Sequence, residues 1–451
     1  MGEQIDKLAQ FVAETKWEDI PAAVQQHAKL VLLDTLGVIL AGAEQPEVRQ
    51  LRERLCATTG TGATVLACGW PSSDPRTAAL LNGIAGRSIE LCEGHRYVSC
   101  QGAVQIVPGV LAMGEWAQST GREMLTALIL GYDVAVRLGA ALTPRPLAHQ
   151  NGQAPLLGAV AAGARLRGLH AAETSRALRI GATLVLTPSY TNAVAGATTL
   201  NVAGGMSGFA AALAPELALA GFAAQGNAIE EALSSLVGDG FQPAGLLDEL
   251  GTRWEISRNY FRLRACCNPI YAALDALEDA LTALRPRPDE IERIDVATYR
   301  FAAVMCNPDP SNYFAAKYSL PHAAAAVLLR GNAGYGSFTD ALVHDPTIAA
   351  LRHRVHIAED PQMTAVAPRL KPARVTVTLK DGRQSTHTCE SARGDFQRPY
   401  HASEIREKFR ELAGLMLTPE GVTGIEQAVN QCDQWTSVCE LTDQLRRSGR
   451  L

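Results

Sequence analysis

From Asp6 to about Leu284 the apolar residues of this chain recur at helical spacing, and no other feature restricts its fold so severely. PAAVQQHAKLVLLDTLGVILAG, TAALLNGIAGRSIEL, GREMLTALILGYDVAVRLGAAL and AETSRALRIGATLVL all follow the rule. The first opens on Pro21, which suits an initial helical turn, and closes near Gly42. Alanine and glycine populate many of these faces, which lets helices approach closely. The chain has 451 residues, 47% hydrophobic and 19% charged, enough for a large core and one or two domains and unlike a disordered sequence.

The segment ATTLNVAGGMSGFAAALAPELALAGFAAQG has the small-residue look of a membrane span. Pro215 and Glu216 interrupt it, and no unbroken run of about 20 apolar residues exists, so a buried helix pair is expected. The pattern changes near Pro286. IERIDVATYR alternates as a half-buried strand does, and KPARVTVTLKDGRQSTHTCE puts Val375, Val377 and Leu379 on one face before an Asp381-Gly382 turn and a return strand. KYSLPHAAAAVLLRG between them reads as a helix, and REKFRELAG begins a return to helix. The expected organisation is a helical domain over 1–259, an α+β domain over 260–394, and helices over 395–451 that rejoin the first domain.

A net charge of -5 provides no basic field for nucleic acid. The opening MGEQIDKLAQFVAETKWEDI reads as an amphipathic helix, without the apolar core of a signal peptide. Ten scattered cysteines do not form a disulfide framework and suit a reducing compartment. A cytoplasmic protein with neither a membrane nor a nucleic-acid partner is expected. Its lysines are Lys7, Lys16, Lys29, Lys317, Lys371, Lys380 and Lys408, so a long central region has none.

Chemistry concentrates in IELCEGHRYVSCQGAV, residues 89 to 104, which crowds two glutamates, a histidine, a tyrosine and two cysteines between apolar segments. A metal site, an acid/base site and a polar loop are all open to such a stretch. The spacing of Glu90, Glu93 and His95, and of His353 and His356, matches no familiar ligand motif, and neither a P-loop nor a strand-linked G-x-G-x-x-G occurs. No metal and no nucleotide cofactor are expected.

Eight stretches, in order, resemble the MmgE/PrpD family: LLDTLGVILAG, LLNGIAGRSIEL, GAVQIVPGVLAMGE, ILGYDVAVRLG, HQNGQAPLLGAVAAGARLRGL, FRLRACCNPIYAALDAL, AKYSLPHAAAAVLLRG and RPYHASEIREKFRELAG. The resemblance implies a mainly α fold, a large all-helical domain with a smaller α+β lid domain. It further implies a homodimer, an active site in the cleft between domains, and cofactor-independent chemistry on small carboxylates such as 2-methylcitrate, cis-aconitate or iminodisuccinate.

Residue by residue, the family's acidic D-F-D-D run becomes Glu90-Leu91-Cys92-Glu93, and its H-P-G becomes Cys100-Gln101-Gly102. His95, five residues before Cys100, is a candidate replacement for the lost imidazole. His149 matches the family's active-site histidine. Two family lysines are absent, the second replaced by Arg262, whose guanidinium suits a carboxylate clamp and not a proton shuttle. Arg264 is its rival. Tyr271 and His322 stand where the family places a histidine and a tyrosine, and Cys266-Cys267 read as packing thiols.

The implied catalytic set is therefore His149, His95, Glu90 and Glu93, with Arg262, Tyr271, Cys100 and His322 binding substrate. Dehydration leads, with decarboxylation and epimerisation beside it, because one charge arrangement serves all three. The missing lysines suggest a substrate with fewer carboxylates. They also fit a homologue that binds without catalysis.

Overall fold

The computed structural model describes residues 2–56, 61–98 and 100–450. It divides into two compact units, one built from residues 1–189, 199–259 and 401–451, the other from 190–198 and 260–400. The second unit thus runs to Tyr400 and takes in the short segment 190–198, both beyond the range the sequence assigns to it.

The first unit is a stack of helices whose apolar stripes face one another. Helix Ala22–Gly42 is buried almost continuously from Ala28 onward. Helix Ala402–Ala413 packs on it, with the Phe409 ring against Gly37 and Lys408 Nζ donating to Asp34 Oδ1 at 2.7 Å. Thr120 and Glu123 start helix Gly121–Ala141 with a reciprocal capping box, so its first amides are satisfied before the apolar run begins.

Small residues set the closest crossings. A Cβ on Gly83 would stand 2.5 Å from the carbonyl oxygen of Gly204, so helices Pro75–Ser88 and Val202–Leu219 touch backbone to backbone. Helix Val202–Leu219 also corrects the expected helix pair, because one helix continues past Pro215. Pro215 has no N–H for the carbonyl of Ala211. That oxygen instead lies where only a glycine permits it, 2.0 Å from an ideal Cβ on Gly163 of helix Ala154–Leu166. Among the described residues, two helical segments, Gly121–Ala141 and Thr198–Leu219, are long and apolar enough to cross a membrane; their most apolar windows are 89% and 61% buried within the protein.

The second unit carries a four-stranded sheet made of β1 (Ile291–Thr298), β2 (Val355–Glu359), β3 (Ala373–Leu379) and β4 (Gln384–Cys389), in the order β4-β3-β1-β2. β3 and β4 form the hairpin foreseen at Asp381-Gly382, where Gly382 takes φ +87°. β1 pairs antiparallel with β3 and parallel with β2, and the parallel step needs the long crossover that holds helix Leu320–Arg330. Val375, Val377 and Leu379 all face the buried side, where helix Tyr271–Leu284 covers β3 and β4.

Candidate active site

Helix Pro75–Ser88 ends just before Glu90, which sits in the left-handed region at φ +55°. This bend turns the Glu90 carboxylate back to the Arg87 guanidinium, an ion pair with both side chains almost wholly buried. Leu91 follows, its carbonyl accepting from Lys408 Nζ at 2.6 Å. Glu93 then reaches the start of helix Gly102–Trp116. Its Oε1 accepts from the Ala103 amide at 2.7 Å, and its Oε2 from Tyr132 Oη at 2.7 Å and Asn259 Nδ2 at 3.2 Å. All three donors are neutral. Burial therefore dominates and pushes Glu93 up to about 7.

His95 and Cys100 face each other across an antiparallel bridge, the His95 amide donating to the Cys100 carbonyl at 2.6 Å. Directly opposed residues of an antiparallel pair project to the same side. His95 Nε2 lies 3.3 Å from Oε2 of Glu255, a residue the sequence reading did not single out. Arg258 Nη1 approaches the same oxygen at 3.1 Å, while Arg253 Nε donates to Oε1 at 2.7 Å. Burial alone would raise the Glu255 carboxyl, but His95 and the two arginines bring it down to about 2. The Glu255 amide is anchored on Asp133 Oδ2 at 3.1 Å, and Arg137 Nε holds Oδ1 at 2.9 Å. The Cys100 thiol is buried, which keeps it protonated.

His149 begins a turn fastened at both ends. Its amide donates to the Pro188 carbonyl at 2.9 Å, and its Nδ1 accepts from the Asn151 amide at 3.2 Å. That contact assigns the proton of the neutral ring to Nε2. Gln105 ties the turn to helix Gly102–Trp116: its Oε1 accepts from the Gly152 amide at 2.7 Å and its Nε2 donates to Asn151 Oδ1 at 3.3 Å. Glu93 and the His149 turn are therefore both fastened within the first turn of one helix, through Ala103 and Gln105.

The remaining candidates belong to the second unit. Arg262 is 1% exposed, with Nη2 donating to Tyr260 Oη at 3.1 Å and its guanidinium near that ring. Arg264, its rival, is held by Asp275 at 2.7 Å and Glu278 at 2.9 Å. The Tyr271 hydroxyl donates to the Arg264 carbonyl. His322 contacts the Ser337 carbonyl through Nε2 at 3.0 Å and Arg352 Nη1 through Nδ1 at 3.3 Å. Burial pushes His322 down to about 4, so its ring is neutral near pH 7. Cys266 is pushed up to about 12 by burial and Cys267 lies 3.3 Å from Tyr190 Oη, which suits packing thiols. Among the described residues, no group of three His, Cys, Asp or Glu side chains is arranged to hold a metal ion.

Comparison with known proteins covers nearly the whole chain. The family model for the MmgE/PrpD N-terminal domain matches residues 6–237, and that for the C-terminal domain matches residues 265–434. The cis-aconitate decarboxylase-like protein oryM of Aspergillus oryzae is 25% identical, over 98% of this chain and 96% of its own. The cis-aconitate decarboxylase of Aspergillus terreus is 23% identical over 97% and 95%, and that of Homo sapiens 25% identical over 94% and 90%.

Proposed function

The chain belongs to the MmgE/PrpD family, and from that premise we propose that it is a lyase of a small carboxylate, releasing carbon dioxide beside a second carboxylate and returning a proton in its place. The nearly full-length match to proteins named cis-aconitate decarboxylase or cis-aconitate decarboxylase-like carries this reading. Those names move decarboxylation ahead of dehydration, which the sequence put first. When the carbon–carbon bond breaks, its electron pair stays on the substrate and spreads onto the remaining carboxylate. Water stabilises that charge poorly, so the enzyme needs fixed donors for it and an acid for the carbon. Arg262 is given the carboxylate, to which a guanidinium offers two parallel donors. His149 presents Nε2–H to an oxygen that gathers charge. His95 carries the proton.

Dehydration is the second reading, favoured by Glu93. A carboxyl pushed up to about 7 is still partly protonated near neutrality and suits protonation of a departing hydroxide. All ten cysteines are free thiols, which supports placing the protein in the cytoplasm; we also carry forward the homodimer.

The test is incubation with cis-aconitate, 2-methylcitrate and simpler unsaturated or hydroxy acids in deuterated water, followed by NMR. Release of carbon dioxide with deuterium at the adjacent carbon, lost in His149→Ala, is expected. Loss of water with retention of every carboxyl would favour the second reading. No change across the panel would leave a binding homologue.

A further inference from the structure

The mechanism needs a proton carrier, and the family resemblance puts Cys100 where it implies an imidazole. The helical unit pairs His95 with a carboxylate that nothing above assigns to the reaction. The geometry is that of an ion pair: Nε2 of His95 stands 3.3 Å from a carboxylate oxygen, the carboxylate is fixed by further cations, and its backbone is fixed by Asp133. An ionised carboxylate at that distance favours the proton on the nitrogen facing it and leaves the opposite nitrogen as the basic one.

We propose that His95 is the proton carrier of this chain and Glu255 its positioning residue, the pair standing in for the imidazole absent at Cys100. The bridge between His95 and Cys100 sends both side chains to the same side of the ribbon, so the ring leaves from the position opposite the replaced residue. Glu255 shares Oε2 between His95 and Arg258 and gives Oε1 to Arg253. Tyr97 completes the surround, its ring 6.0 Å from that of His95 and covered by the guanidinium groups of Arg258 and Arg96. In the forward step the imidazolium gives its Nδ1 proton to the carbanion carbon. The neutral ring then keeps its Nε2 proton, directed at Glu255, which stays ionised throughout, and regains its Nδ1 proton from solvent before the next turnover.

This inference rests on the lyase reading proposed above, and the experiment separates the two. Glu255→Gln keeps the shape and removes the charge. It is expected to lower kcat by roughly 100-fold, the scale of one acid/base group, with KM within about threefold of wild type. His149→Ala is measured beside it. Wild-type kcat in Glu255→Gln together with a large loss in His149→Ala overturns the pair and leaves the lyase reading standing. No turnover of any acid by the wild type removes both.

Should Glu255→Gln fail to fold, the wild type still decides. With ¹⁵N-histidine labelling and the His95→Gln spectrum for assignment, a pH titration is expected to show His95 as an imidazolium that becomes the Nε2–H tautomer on deprotonation. An Nδ1–H tautomer overturns the proposal.

Discussion

Glu93 and Glu255 are buried carboxyls of the same helical unit, 0% and 2% exposed, yet their protons obey opposite rules. Glu93 has three hydrogen-bond donors, all neutral, and rises to about 7. Glu255 has His95, Arg253 and Arg258 around its two oxygens and falls to about 2. Hydrogen bonds alone do not replace the water that a carboxylate loses on burial, whereas cations do. One region thus keeps an acid that titrates near neutrality. The other keeps a permanent anion suited to orienting a histidine.

The sharpest way to break this contrast is the pH dependence of stability. The folded Glu93 lies above its ordinary 4.5, so its contribution is fully present below about pH 4.5 and is lost as pH rises through 7. Relative to Glu93→Gln, the wild type is expected to lose about 3 kcal/mol across that window, at about 1.4 kcal/mol per pH unit. Glu255 lies below 4.5, so its contribution is present above that pH and is lost as pH falls toward 2. The wild type compared with Glu255→Gln should therefore slope the other way. The change should be smaller, about 2 kcal/mol, because solvent reaches Arg253 and Arg258. Urea unfolding of the three proteins over pH 3 to 8 measures both slopes, and parallel curves would refute the contrast.

Neither behaviour was legible in the sequence, although much around it was. Helical periodicity is local, so the long apolar helices and the Val375-Val377-Leu379 face could be read directly. Pro215 misled because its consequence lies in another helix, at Gly163, which accommodates the Ala211 carbonyl. In the acidic run, Glu90 and Glu93 look interchangeable. The left-handed bend at Glu90 hands one to Arg87, while the start of the next helix takes the other. Glu255 meets His95 only through folding that spans 160 positions, and no spacing rule connects them. His149 was singled out because the family register survives around it. The Gln105 contacts that hold its turn were not.

A finer test alters the neutral side of the comparison. Tyr132→Phe removes one donor from Glu93, while the ring that packs against Gly102 remains. The cost should be about 1–2 kcal/mol above pH 7, where the carboxylate is charged, and less below pH 5. The pH at which Glu93 titrates should move upward, as Glu93→Gln difference curves in the Tyr132→Phe background would report. A uniform loss at every pH would mean that Tyr132 acts through packing alone.

The smallest effect is expected on the charged side, at Arg253. This guanidinium is 30% exposed and is divided between Glu249 and Glu255. In Arg253→Gln, Oε2 of Glu255 keeps both His95 and Arg258, and the new amide can still donate to Oε1. A half-solvated pair with such redundancy is worth about 0.5 kcal/mol, so stability at pH 7 should hardly change and should respond to salt. A loss of about 2 kcal/mol or more would mean that one arginine keeps Glu255 ionised by itself. The two carboxyls would then differ by a single partner and not by the character of their surroundings.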